Sequence, residues 1–219
     1  MIRMPGLYAV GKQAWSNIRN RTADDLPVAL IATDYRWPHF NMEKFSTVKK
    51  KICLLGSFAV GKTSLVERFV YNRFDDKYLT TIGVKISQKM LPPIQGPVAG
   101  TLVQYDLLIW DIAAMDKFDG MARNYYRGAA GAIAVADMTR PETITSLQQI
   151  CRDFLTVSPG AQIAVLGNKL DIFNEDEKTT ARLEAVSSNL STKAIVTSAK
   201  TGERVEEAFL MLAGMIGSP

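Results

Sequence analysis

Histidine occurs once in the 219 residues, at His39, and cysteine twice, at Cys53 and Cys151. A single histidine excludes every metal site or catalytic dyad that needs two imidazoles. A Ser-His or Cys-His mechanism would have to use His39, in a segment with no partner motif. Both cysteines lie in apolar stretches, so buried thiols in a reducing, cytoplasmic compartment are expected rather than a disulfide. No apolar run approaches the ~20 residues of a membrane-spanning helix. The stretch Gly214 to Pro219 holds no cysteine, so no prenyl anchor is expected. Excess charge is also small. A net +4 permits a weakly basic surface but indicates no nucleic-acid partner.

The composition, 47% apolar and 22% charged with 15 Gly and 9 Pro, excludes collagen-like, low-complexity and wholly disordered chains. From Lys49 onward, short apolar runs alternate with helical patterns. Lys51 to Leu55 reads as a buried strand ending at Gly56, and Thr63 to Val70 as a helix. Leu107 to Trp110, Ala132 to Ala136, Ile163 to Leu166 and Ala194 to Val196 are further apolar runs, each followed by turn residues. This alternation predicts an α/β domain with a mainly parallel sheet covered on both faces. Val84 to Met90 and Thr101 to Trp110 flank Pro92 to Pro97 and read as an antiparallel hairpin with a long, Pro-stiffened loop. Glu203 to Ile216 places Val205, Phe209, Leu212 and Ile216 on one helical face.

Residues 1–48 break this rhythm and are read as an N-terminal extension. They hold six Lys or Arg against four Asp or Glu, with no acid in the first 23 residues. Leu7, Val10, Ala14, Trp15 and Ile18 can line one face of an amphipathic helix, the one route to a membrane surface the chain offers. An arm packed on the domain, a disordered segment, or a start assigned too early, with Met42 as the natural one, are the other readings. Residues 217–219 form a short tail.

Gly56-Ser57-Phe58-Ala59-Val60-Gly61-Lys62-Thr63 matches G-x-x-x-x-G-K-[ST] between a predicted strand and helix. That order suits a phosphate cradle. The strand delivers the chain to a tight turn with inward N–H groups, and the helix N-terminus adds partial positive charge. Lys62 can reach the outer phosphates, and the Thr63 hydroxyl can bind Mg²⁺. A decoy, Gly6 to Lys12, repeats the glycine and lysine spacing. Gln13 then replaces the hydroxyl, and Met1 to Pro5 supply no strand, so it is assigned to coincidence.

Asn168-Lys169-Leu170-Asp171 and Thr197-Ser198-Ala199-Lys200 each follow a predicted strand, at the sheet's carboxyl edge, where α/β folds bind ligands. A fixed carboxylate accepts two hydrogen bonds from the N1–H and 2-amino group of guanine. Adenine offers no such pair, so Asp171 would select against it.

With these motifs in register, Lys49 to Ile216 resembles the Ras superfamily of small GTPases, and its Rab branch most closely. Tyr125-Tyr126-Arg127-Gly128-Ala129 and Thr81-Ile82-Gly83-Val84 carry the Rab likeness. The resemblance implies a P-loop NTPase G domain over residues 49–216, a mainly parallel six-stranded sheet with helices on both faces. It implies GTP or GDP bound with Mg²⁺ and held by Gly56, Ser57, Phe58, Ala59, Val60, Gly61, Lys62, Thr63 and Ser64. Phe74 would stack on the base, and Tyr78 would cover the phosphates. Asn168, Lys169, Asp171, Ser198, Ala199 and Lys200 would surround the guanine. Thr63, Thr81 and Asp111 would hold Mg²⁺, with Ala114 at the γ-phosphate. Effector, exchange-factor and activating proteins would engage the switch segments of a monomer.

The departures fall on the hydrolytic machinery, where catalysis would rest on Lys62, Thr81 and the degenerate position Met115. The family reads W-D-T-A-G-Q where this chain has Trp110-Asp111-Ile112-Ala113-Ala114-Met115. The family's Gln orients the attacking water, and the Met115 thioether is a weak acceptor with no N–H. Ala114 replaces a glycine whose peptide reorients toward the γ-phosphate, and its Cβ narrows that freedom. Phe58 stands where relatives carry a small residue and would crowd an arginine supplied by a partner. The expected function is a GTP-binding switch with weak hydrolysis. The alternatives are a non-hydrolysing GTP-binding interaction module and a basic membrane-surface protein with a vestigial site. Ala114 leaves open whether the GTP or the GDP state is favoured. Ile86 replaces an aromatic frequent in Rabs, Trp110 reads as either effector-facing or half-buried, and Asp137 reads as a strand-end turn former.

Overall fold

The fold is taken from a computed structural model of the chain, which describes residues 45–76, 80–95, 102–113, 120–174 and 176–217. Residues 45–48, read from the sequence as the end of the extension, instead begin β1 and pair with β4 from Phe45↔Leu102 onward. Residues 1–44, with the decoy motif and amphipathic pattern, lie outside the described residues. The strands are β1 (Phe45–Leu55), β2 (Val84–Met90), β3 (Ile94–Gln95), β4 (Leu102–Ile112), β5 (Gly131–Asp137), β6 (Gln162–Asn168) and β7 (Ala194–Val196). The helices are α1 (Lys62–Tyr71), α2 (Gly120–Tyr126), α3 (Pro141–Val157), α4 (Glu177–Asn189) and α5 (Val205–Gly217).

The sheet runs β2-β4-β1-β5-β6-β7, with β3 added on β4. Only the pairings of β2 and β3 with β4 are antiparallel. Every residue of β5 is buried, as a strand covered on both faces requires. The predicted hairpin forms, but its loop contains β3, whose Ile94 and Gln95 pair with Val103 and Leu102. Pro92 and Pro93 have no N–H to donate, so the ladder breaks there and resumes for two residues.

Alternate residues of the strands feed two cores, as a period of two dictates. Ile52, Leu54, Ile109, Ile133, Val135 and Leu166 face α1 and α5, meeting Leu65, Phe69, Phe209 and Leu212. Cys53, Leu55, Ala132, Ala134, Ala136 and Val165 face α3 and α4, meeting Ile144, Leu147, Cys151, Phe154 and Leu183. Both cysteines are free and buried, and burial pushes each thiol up to about 12. The parallel strands all end at one edge. There β1 lies between β4 and β5, so the chain leaves it to one side and later returns on the other, the place where such sheets open a crevice.

Phe69 and Phe209 stack with centroids 3.9 Å apart and planes 6° apart, joining α1 to α5. Replacing Phe209 with alanine is expected to lower unfolding free energy by about 3–5 kcal/mol, measured by urea denaturation. A loss below about 1 kcal/mol would show that the stack does not hold α5 in place.

Candidate functional site

The turn after β1 is shaped for close backbone approach. Gly56 has φ +135°, and a Cβ there would stand 2.2 Å from the Val135 carbonyl oxygen. Gly61 has φ +95°, and its Cβ would stand 2.3 Å from Asn168 Nδ2. Between them Ala59 takes φ 60°, a left-handed conformation that costs a non-glycine residue about 1–2 kcal/mol. Gly61 precedes α1 and brings no side chain to cap it. By contrast, Asp176 caps α4 by accepting from the Lys178 and Thr179 amides. The α1 N-terminus thus offers amides and dipole to an anion.

Lys62 is buried, and its Nζ donates to the carbonyls of Gly56 at 2.8 Å and Ser57 at 3.0 Å. Burial lowers its ammonium to about 8, against the opposing pull of Asp111. The first turn of α1 also carries Thr63 and the half-buried Ser64. Thr63 Oγ1 donates to Asp111 Oδ2 at 2.6 Å and lies 2.7 Å from Thr81 Oγ1. With its one proton so placed, Thr63 accepts from Thr81. Asp111 Oδ1 is buried with no hydrogen-bond partner among the described residues. Burial raises the Asp111 carboxyl, with Thr63 and Lys62 acting in opposition.

Asn168 ties this loop to the second half of the site. Its Nδ2 donates to Val60 O at 2.9 Å, and its Oδ1 accepts from Ala199 N at 3.1 Å and Thr197 Oγ1 at 3.4 Å. Asp171 Oδ1 accepts from Ser198 Oγ at 2.6 Å, which orients an otherwise exposed carboxylate. Phe74 is half-buried against the core. Lys200 is exposed, its Nζ 3.9 Å from Asp76. Ser57 Oγ meets Ser146 Oγ at 2.9 Å, and the Phe58 ring is 51% exposed at the rim. Tyr78, Ala114 and Met115 lie outside the described residues.

Residues 51–217 match the model of the Ras family. The chain belongs to that family. GTP-binding protein ypt4 of Schizosaccharomyces pombe is 36% identical over 168 residues, covering 76% of this chain and 70% of the relative. Ras-related protein Rab-4B of Homo sapiens is 38% identical over 167 residues, covering 76% and 75%. GTP-binding protein ypt5 of Schizosaccharomyces pombe is 37% identical over 171 residues, covering 76% and 77%. This protein is therefore a Ras-superfamily small GTPase close to Rab, a guanine-nucleotide switch of the α/β P-loop fold. Ras and Rab proteins generally bind GTP or GDP with Mg²⁺ and work with effector, exchange and activating proteins.

The residues of this small GTPase fit those groups. No cluster of three His, Cys, Asp or Glu gathers among the described residues, so no all-protein metal cage exists there. Mg²⁺ favours one or two carboxylates completed by phosphate oxygens and water. Thr63, Thr81 and the unpartnered oxygen of Asp111 supply that kind of donor set.

One functional group went unread in the sequence. Asp137 makes the expected turn, accepting from Thr139 N at 2.9 Å. It also receives Lys169 Nζ at 2.7 Å and Arg140 Nε at 3.0 Å. Arg140 Nη2 in turn donates to Phe58 O at 2.8 Å, so one carboxylate braces both the base loop and the phosphate loop. Lys169 stands at φ 71°. The turn signal was visible, but the distant Lys169 was not.

Burial works to raise the Asp137 carboxyl, but hydrogen bonds from Lys169, Thr139 and Arg140 outweigh it and hold the group below the usual range. Its stabilisation is full above the ordinary carboxylate pKa of ~3.9. It is lost as pH falls through the lower folded value. Asp137→Asn is expected to destabilise by about 2 kcal/mol at neutral pH and to flatten this part of the acid limb. Urea unfolding from pH 3 to 7 checks both.

Proposed function

We propose that this protein binds GTP and GDP with Mg²⁺ through the residues assembled here and hydrolyses GTP slowly. The observation that carries the binding half is the buried Asp111 Oδ1, unpartnered beside Thr63 and Thr81, with the Lys62 ammonium on the same loop. In this reading the amides of residues 56–63 and Lys62 receive the phosphates. Bound Mg²⁺ would neutralise phosphate charge and template the oxygens. Thr63, Thr81 and Asp111 hold the ion, and Asn168 shapes the base pocket. Asp171 reads the guanine edge, and Phe74 its face, with Lys169 along the base. The guanine oxygen takes the Lys200 amide and the Ala199 amide, the latter exchanging its bond to Asn168 Oδ1 for the base. Tyr78 covers the phosphates.

The slow-hydrolysis half rests on residue chemistry. Positioning supplies most of the catalysis in phosphoryl transfer. Met115 brings a thioether where an amide would orient water, and Ala114 adds a Cβ beside it. Lys62 and Thr81 keep their charge and hydroxyl, so binding persists while turnover falls. The exposed Phe58 ring adds bulk where a partner's arginine would enter. Effector, exchange and activating proteins would meet the switch segments of a cytoplasmic monomer. Any membrane contact would run through residues 1–44, since 45–48 belong to β1. Among the described residues, no helix is long and apolar enough to cross a membrane.

With Mg²⁺ present, guanosine diphosphate should bind at least a hundredfold more tightly than adenosine diphosphate, as a carboxylate oriented by Ser198 to accept from the guanine edge demands. Asp171→Asn should abolish that preference and favour xanthosine, whose 2-oxo group accepts from the new amide. Equal binding of the two purines by the unaltered protein would overturn the reading. In single-turnover assays, phosphate release should be slow, and Ala114→Gly with Met115→Gln should accelerate it at least tenfold. No acceleration would leave binding intact and defeat the hydrolytic argument.

A further inference from the structure

Arg68 lies on α1, beyond the phosphate loop, and its guanidinium is directed at main-chain oxygens. Nε donates to Ala199 O at 2.9 Å and Nη2 to Lys200 O at 2.5 Å. Nη1 donates to Asn72 O at 3.4 Å and Asn72 Oδ1 at 3.3 Å. The two carbonyls beyond β7 are successive, so the fork grips two adjoining peptides of the loop that follows the strand. Gly202 in that loop has φ +87°, and a Cβ there would stand 3.4 Å from Arg68 Cδ, so the stem lies close against the turn. Asn72 closes α1 at φ 51°, two residues before Phe74.

We propose that Arg68 is a positioning residue of the base pocket. It holds the Ser198–Gly202 loop against the end of α1 at Asn72. The inference rests on the guanine-binding reading above and adds to it the residue that sets the pocket's geometry. A guanidinium suits the task because its donors are planar and pre-organised. Hydrogen bonds from a charged donor are also stronger than neutral ones. Ala199 N–H is already aimed at Asn168 Oδ1. That bond engages the Ala199 N–H with Asn168. The Lys200 N–H, by contrast, shares a peptide plane with the Ala199 carbonyl that Arg68 holds, so the clamp fixes the direction in which the Lys200 amide can meet a base oxygen.

The test compares release of two diphosphates from the full chain with Mg²⁺: guanosine diphosphate, and 2-aminopurine riboside diphosphate, which lacks the base oxygen. Arg68→Gln is expected to speed guanosine diphosphate release at least tenfold and to change release of the analogue less than threefold. Arg68→Lys, which keeps one charged donor, should recover part of the difference. Val186→Ala, which opens the core under α4 away from the loop, measures what simple destabilisation does to both nucleotides. Unchanged release of guanosine diphosphate from Arg68→Gln, or equal acceleration of both nucleotides, overturns the proposal while leaving the guanosine preference of the wild type standing. A wild type without guanosine preference overturns the underlying reading and this proposal together.

Discussion

Asn168 is the joint on which the site turns. It is buried at the end of β6, and its amide gives one hydrogen to the phosphate-loop carbonyl of Val60. Its oxygen takes the Ala199 amide. Two loops far apart in the chain are thereby fixed to one side chain, each through a backbone group that would otherwise be buried without a partner. Gly61 is part of the same joint, since any Cβ there would collide with the Asn168 amide nitrogen. The left-handed Ala59 is held in a costly conformation by the same tightly determined loop.

Around this joint the charges follow a consistent logic. Cations and carboxylates at the strand ends are placed so that desolvation and pairing oppose each other. Lys62 is buried at the price of a lowered pKa, and Asp111 carries the reverse burden. A divalent ion beside Asp111 would invert the local balance, since a bound cation outweighs the surrounding partial charges. Asp137 needs no such ion. Two cations and a turn satisfy it within the chain.

Much of this was legible in the residues themselves. The apolar runs around Ile52, Ile133 and Val165 announced parallel strands because both faces of the sheet are covered. The face of Val205, Phe209, Leu212 and Ile216 announced α5 because it packs as a single stripe. The segments Gly56 to Thr63, Asn168 to Asp171 and Thr197 to Lys200 stood out because each candidate motif is carried by neighbouring residues, and the fold brings the three together. β3 was not, since two paired residues between prolines leave no periodicity to detect. The Asp137 brace and the Arg68 clamp were hidden for a different reason. Each joins residues remote in sequence, and the Arg68 partners are backbone carbonyls, which every residue possesses.

The alanine column of β5 has a consequence beyond packing. Ala132, Ala134 and Ala136 present only methyl groups to α3, so they act as a gauge for the spacing between sheet and helix. Ser146 on that helix and Arg140 just before it both touch the phosphate loop. A larger side chain in the column would move the helix outward and carry those two contacts with it. Drift at these deeply placed alanines would therefore register as a nucleotide-handling defect in a chain that still folds, and a genetic screen would misattribute it to the rim.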